Sequence, residues 1–489
     1  YQLATLPSTP LGNWTFWAEF RACDNLQAVY WLYNITGEAF LLDLGNLLHE
    51  QSFNFIDMFL NRDHLTRFNS IHCVNLAQGL KEPVIYYQQK PEKSYIDAVK
   101  KGLADIRKYN GQPQGMFGGD EGLHGNNPTQ GSELCSAVEL MYSLEKMMEI
   151  TGDLTFTDHL ERIAFNALPT QITDDFMNKQ YFQQANQIMI TRHPHNFYED
   201  AHHAATDIIY GTRTGYPCCF SNMHQAWPKF TQSLWYATPD KGIAALAYSP
   251  SEVVAQVGDG HEISIIEDTY YPMDDKIRFT IRLSNSVKEV TFPFHLRIPE
   301  WCKGAAVTIN GITDSINGGS DMAILHRPWK DGDQVILSLP MKVESSRWYE
   351  NSVAIERGPL VYALKMEERW MKKEFVGKER NQFGFDYYEV SSPTKWNYGI
   401  LSATIEDLEK NSQVTIDPDK QSCDYFWNVR NAPIQIKLKA KEMTSWRIYN
   451  EMTGPLPFST SKSEQPEEEI VLVPYGCTTL RISEFPVVR

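Results

Sequence analysis

Apolar residues recur at three- and four-residue spacings through the first half of the chain, in NLQAVYWLYNITGEAFLLDLGNLL and again in ELCSAVELMYSLEKMMEITGDLTFTDHLERIAFNAL. That period places them along one face of an α-helix. Each stretch is broken by Thr-Gly-Glu or Thr-Gly-Asp, where the glycine ends one helix and lets the next begin. A looser third copy, IHCVNLAQGLKEPVIYYQQKPEKSYIDAVKKGLADIRKY, carries a Pro-Glu-Lys turn at the corresponding place. The repeated unit is an antiparallel helix pair, which can stack into a solenoid or close into an (α/α) toroid; periodicity alone does not separate the two. Twelve helices of roughly 12 residues plus loops need more than about 200 residues. Residues 1–235 would only just suffice, so part of a toroid is expected upstream of Tyr1.

After residue 236 the period changes from 3.6 to 2. EISIIEDTYY, KIRFTIRLS, VTFPFHLRIP, AAVTING and QVILSLP are short runs rich in Val, Ile, Thr and Phe, bounded by Asn-Gly, Asp-Gly, Gly-Gly and Pro turns. This predicts a β-sandwich over 236–348. The alternation restarts at NSVAIERGPLVYALK and continues through PIQIKLKAK, SWRIYNEM and EEIVLVPYGCTTLRISEF. It predicts a second sandwich over 349–489, interrupted by a polar, charge-mixed insertion at 366–425. The fold class expected is α plus β in several domains.

Composition narrows the function. A chain of 489 residues exceeds one hydrophobic core. A net charge of -16, with no Lys/Arg-rich run, argues against nucleic acid as a partner. No uninterrupted apolar window reaches the length of a membrane span, and the chain opens YQLATLPSTP without a charged, then apolar, leader. Any targeting signal is read as removed or never part of it. Twelve Trp, 24 Tyr and 24 Phe exceed what cores require, and exposed aromatic platforms are one common way to hold sugar rings.

Eight cysteines are too few and too scattered for a disulfide framework, yet two of them adjoin in GYPCCFSN. Neighbouring residues make a poor disulfide, because their Cα atoms lie about 3.8 Å apart and a normal bridge wants about 5.5 Å. Two thiolates offered from one turn suit a soft cation such as zinc. The bland alternative is two small side chains in a packed loop.

The densest chemistry lies in GMFGGDEGLHGNNPTQGSELCSAVELMYS, residues 115–143. Its glycines predict a loop whose backbone can approach a ligand, delivering Asp120 and Glu121 before a helix that starts near Ser132. Glu133 and Cys135 would then sit at a helix N-terminus, where the dipole favours carboxylate and thiolate. Glu133 could equally be an ordinary first-turn acid behind Ser132 as N-cap. Together, Glu133, Cys135, Cys218 and Cys219 supply one carboxylate and three sulfurs, a count and softness that match a tetrahedral zinc site.

The Gly-rich stretch with Glu121, then GSELCSAVE, CCFSNMHQAWPKF, VAIERGPLVYALK and VPYGCTTLRISEFP, resembles glycoside hydrolase family 127, the β-L-arabinofuranosidase family, along nearly the whole chain. The resemblance implies an (α/α)6 barrel carrying the active site, two β-sandwiches behind it, and zinc held by Glu133, Cys135, Cys218 and Cys219. It implies Cys218 as nucleophile and Glu121 as acid/base, with Asp120 the competing carboxylate and both Asp120 and His72 contacting sugar. It further implies a retaining exo-glycosidase acting on β-L-arabinofuranosides or a related plant sugar, in a bacterial periplasm or secreted. Two departures are visible. Phe220-Ser221-Asn222 follows the Cys pair where many members have Pro-Pro-Asn, and the segment from Glu121 to Glu133 is short, so the sugar pocket is expected to differ.

Other features compete. His193, His195, His202 and His203 in TRHPHNFYEDAHHAATD could hold a second metal, although histidines in polar loops more often face solvent. His224 and Gln225 could support the Cys pair. Asn13-Trp14-Thr15 and Asn34-Ile35-Thr36 fit the glycosylation pattern. The alternative functions are a polysaccharide lyase, which needs no cysteine cluster, and a non-catalytic carbohydrate-binding protein stapled by zinc.

Overall fold

The computed structural model describes every residue except 67–70, 196, 198–202, 285–286 and 316–320. Helices fill the first half where the 3.6 period runs. Ala22–Thr36 ends at Gly37 and Leu134–Thr151 ends at Gly152, both glycines being left-handed at φ 68° and 69°. These are the Thr-Gly stops, and the conformation is one that glycine adopts without steric cost. Ala22–Thr36, Glu82–Tyr87, Leu134–Thr151 and Cys218–Gln232 pack side by side in that order. Phe40–Gln51, Lys93–Asn110 and Thr155–Arg162 return between them.

Asp24, Gln27 and Trp31 of the first helix in the row and Gln225 and Lys229 of the last line one cavity. None of the described helices is long and apolar enough to cross a membrane.

The second element of the fold is a pair of sheets. A six-stranded sheet runs in the order Ile312–Ser315, Ala306–Ile309, Gln334–Ser338, Lys276–Leu283, His261–Thr269, Ser251–Val257. A four-stranded sheet, Asp321–Trp329, Val290–Ile298, Ile243–Ala245 and Trp235–Ala237, faces it. Phe279 of the first meets Phe294 of the second edge to face at 5.2 Å, and Trp235 contacts both rings. Strict alternation along Lys276–Leu283 buries every second residue against this core.

C-terminal strands join Val343–Arg347 in an eight-stranded sheet in which Glu467–Pro474 lies between Leu360–Leu364 and Ile434–Glu442. Part of the packing comes from the helical region: Asn166 donates to Pro359 O at 2.9 Å and accepts from Val361 N at 2.8 Å. A period of 2 reports that a face is buried, not what covers it. The polar insertion is ordered as well. Arg369–Glu374 and Asp386–Ser391 form a hairpin that takes Tyr210–Gly211 of the helical region as its third strand.

Helix Thr155–Arg162 locks both β parts to the helical region. Arg162 makes a two-pronged ion pair with Glu356 at 3.0 and 2.5 Å. Asp158 and Glu161 receive the fully buried guanidinium of Arg297.

Candidate metal and catalytic centre

Residues 111–133 fold differently from the loop that their glycines predict. Gly118–Asp120 and Gly122–Gly125 make a tight hairpin, and Ser132–Glu133 runs parallel beside it. Glu121 sits at the turn with φ 73°, a left-handed conformation that costs a non-glycine residue on the order of 1 kcal/mol. Glu133, not Ser132, is the N-cap of Leu134–Thr151, and its side chain makes no capping bond. The first-turn-acid reading of Glu133 is therefore set aside: its carboxylate is directed elsewhere.

It meets sulfur. Cys135 is the second residue of Leu134–Thr151, and Cys218 and Cys219 are the first two of the neighbouring helix Cys218–Gln232. Cys135 Sγ lies 2.9 Å from Cys219 Sγ and 3.3 Å from Cys218 Sγ. Glu133 Oε1 is 3.5 Å from Cys219 Sγ and 3.9 Å from Cys218 Sγ. All four ligand atoms lie within 4.8 Å of one another. One carboxylate and three sulfurs gathered this closely could hold a metal ion. Cys135 and Cys219 are buried, whereas Cys218 is exposed. Among the thiols, Cys218 is pushed down to about 3 by hydrogen bonds from Cys135 and Cys219, with the charge of Lys179 adding to the effect. Burial pushes Cys135, Cys219 and Glu133 up.

A second carboxylate stands beside the first. His72, Glu121 and Glu133 bring ligand-type atoms within 4.8 Å of one another. His72 is the N-cap of Cys73–Gly79, with Nδ1 accepting from Asn75 N at 3.3 Å. That bond leaves the proton on Nε2, which donates to Glu121 Oε2 at 3.0 Å. Tyr181 donates its hydroxyl to Glu121 Oε1 at 2.5 Å, and His203 Nε2 stands 3.7 Å from the same oxygen. Burial would raise Glu121, but the hydrogen bonds from His72 and Tyr181 and the nearby His203 outweigh it and hold the carboxyl below its usual range.

The comparisons with known proteins bear on this cluster. Residues 16–232 match the model of the β-L-arabinofuranosidase family-127 catalytic domain, and residues 242–341 match that of its middle domain. The chain belongs to glycoside hydrolase family 127. It is similar to a non-reducing end β-L-arabinofuranosidase of Bifidobacterium longum subsp. longum, 26% identical over 249 residues. That match covers 49% of this chain and 36% of the relative, so the chain aligns with about a third of the relative's length. A solved glycoside hydrolase matches with a TM-score of 0.68 at 18% identity, covering 99% of this chain and 77% of that one. A family-127 β-L-arabinofuranosidase from Geobacillus stearothermophilus T6 matches at 0.65 and 18%, covering 95% and 72%. At these identities the two structures establish the fold.

Within this family-127 chain, the structure brings together six of the seven site residues expected from the sequence: Glu133, Cys135, Cys218, Cys219, Glu121 and His72. Asp120 lies outside these two sets: its side chain is fully buried in the hairpin and paired with His124.

The histidine-rich stretch forms no metal set among the described residues. His193 meets Asn450 Oδ1 at 2.9 Å, His195 is buried beside it, and His202 lies outside the described residues. His203 serves the Glu121 site, with Nδ1 paired to Asp207. His224 packs edge-on against Phe220 and Gln225 donates to Asn222 Oδ1 at 2.8 Å, so their described contacts are not with the Cys pair. Thr15 of the first glycosylation triplet caps helix Phe16–Phe20, and Asn34 of the second lies inside helix Ala22–Thr36.

Three residues packed around the cluster escape sequence reasoning. Tyr181, Cys73 and Lys179 are all buried in the site. Lys179 is fully buried and donates to Thr214 O and, at 2.9 Å, to Tyr216 O, anchoring the loop that presents Cys218. Burial lowers its pKa, against the opposing pull of Cys219, Cys218, Cys135 and Glu133. The signal available was NKQYFQQANQ, a polar run with strand length whose amides are buried and bonded, as when Gln183 donates to Ala167 O at 3.0 Å.

Proposed function

We propose that this chain carries the catalytic centre of a retaining glycosidase for β-L-arabinofuranosides, with Cys218 as nucleophile, Glu121 as acid/base and zinc held by Glu133, Cys135, Cys218 and Cys219. The observation that carries the reading is the unequal exposure of the cluster: of its three sulfurs, Cys218 is the accessible one. A sugar can reach that sulfur while the other ligands stay buried.

Zinc, when bound, supplies the positive charge that keeps the thiols ionised at neutral pH. The N-termini of Leu134–Thr151 and Cys218–Gln232 add partial positive charge at the same sulfurs. Cys218 Sγ attacks the anomeric carbon while Glu121 gives its proton to the departing glycosidic oxygen, leaving a thioglycosyl-enzyme. Glu121 then takes a proton from water, the water oxygen displaces sulfur, and the sugar leaves with its original configuration. His72 and Tyr181 orient Glu121 through both steps. Ionisation of the neighbouring thiols opposes a further negative charge on Glu121 and so works against the lowering by His72 and Tyr181, toward the protonated form that the first step uses.

The test pairs Cys218→Ser with Glu121→Gln on a nitrophenyl β-L-arabinofuranoside. Wild-type protein is expected to bind about one zinc per chain and to release sugar with retained configuration by NMR. Cys218→Ser should lose turnover. Glu121→Gln should lose about 10²–10⁴-fold in rate and form a retained glycosyl azide when azide is added. Undiminished hydrolysis by Cys218→Ser would refute the assignment, as would an inverted product.

A further inference from the structure

Glu133 has two oxygens, and they meet different partners. Oε1 faces Cys218 and Cys219. Oε2 accepts a hydrogen bond from the thiol of Cys73 at 3.3 Å, within the buried interior. Cys73 is fully buried and is the first residue of helix Cys73–Gly79, immediately after His72. Adjacent residues at one helix start therefore hold both carboxylates of the site, His72 holding Glu121 and Cys73 holding Glu133.

The surroundings hold Cys73 firmly. Its N–H donates to Glu121 O at 2.7 Å, which ties the helix start to the hairpin turn. A Cβ on Gly119 would come within 2.7 Å of Cys73 Cβ, so the hairpin packs directly on this side chain. A carboxylate can bind a cation through one oxygen or two, and a donor on the second oxygen selects the one-oxygen mode. Partners of this kind, which hold a ligand without touching the metal, typically contribute 10–100-fold to metal affinity.

We propose that Cys73 is a positioning residue for the metal site: its thiol engages Glu133 Oε2, so that Oε1 alone is presented beside the three ligand sulfurs. Cys73 belongs to the protein's thiol count but not to its ligand count. The inference rests on the zinc reading above, and it adds a fourth cysteine with a different task.

Zinc affinity of full-length wild type, Cys73→Ala and Cys73→Ser is measured by competition with a chromophoric chelator. Cobalt-substituted proteins are compared by their thiolate-to-cobalt absorption. Cys73→Ala is expected to bind zinc about 10–100-fold more weakly, with cobalt absorption still that of three thiolates and metal-free thermal stability close to wild type. Cys73→Ser keeps a donor and is expected to stay within about threefold of wild type. Wild-type affinity in Cys73→Ala would overturn the proposal, and so would loss of one thiolate's share of the cobalt absorption, which would make Cys73 a ligand. Should the alanine variant fail to fold, a soluble Cys73→Ser that binds zinc about tenfold or more weakly than wild type would overturn it. Failure of wild type to bind zinc would instead sink the functional reading itself.

Discussion

Arg297→Met probes the junction between the middle sheets and the helical region. Arg297 is fully buried; it donates to Leu246 O, reaches Asp158 Oδ1 at 2.5 Å and pairs with Glu161. Glu161 is 1% exposed, so water cannot replace the guanidinium. Methionine fills much of the vacated volume and leaves Glu161 with the Tyr271 hydroxyl at 2.9 Å. Removing one partner of a buried ion pair costs about 3–5 kcal/mol, because the other charge stays behind uncompensated. For a unit near the size of the middle sheets each kcal/mol is worth roughly 4–8 °C, so the first calorimetric transition should fall by more than about 10 °C.

Burial already raises Glu161 against the downward pull of Arg297, and the variant removes that pull. A carboxyl raised in the folded state costs nothing below its unfolded pKa of about 4.3, where both states keep the proton. The stability gap between wild type and Arg297→Met should therefore be small near pH 4, widen as pH rises toward the folded pKa of Glu161, and then level. Adding Glu161→Gln to Arg297→Met should recover at least half of the loss, since the carboxylate that stays is that of Asp158, which solvent reaches, 13% exposed. A gap under about 1 kcal/mol at neutral pH, or one that shrinks as pH rises, would refute the reasoning.

Two further outcomes are expected at the site. Tyr181→Phe keeps the ring and deletes the 2.5 Å bond to Glu121; a hydrogen bond to a charged group is worth about 1.5–3 kcal/mol, so kcat/KM should fall about 10–150-fold with zinc content unchanged. Lys179→Met removes two charge-assisted bonds to the loop before Cys218. It should lower thermal stability and weaken zinc binding, both followed by titrating zinc while recording the melting temperature; unchanged melting and affinity would mean the loop holds its shape without this lysine.

Much of this protein is written locally. The Thr-Gly stops at Gly37 and Gly152, the alternation along Lys276–Leu283 and the softness of the Glu-Cys-Cys-Cys set are short-range facts, and the structure repeats them. The Gly-rich stretch misled because glycine permits both an open loop and the close backbone approach of a hairpin. The polar run at residues 178–187 was unreadable as interior, since burial of amides is favourable only when partners such as Ala167 O and Ile208 O are already in place.

The amino-acid order by itself determined where the long helices and the strands after residue 236 run and which side chains are soft enough to share a metal. Only the tertiary structure decided that helix starts distant in the chain meet, that His72 and Cys73 divide two carboxylates between them, that Asp120 turns into the hairpin, and that one sulfur of three is left open. The physical reason is that periodicity and residue chemistry act over a few neighbours, whereas convergence and exposure depend on what packs against each face.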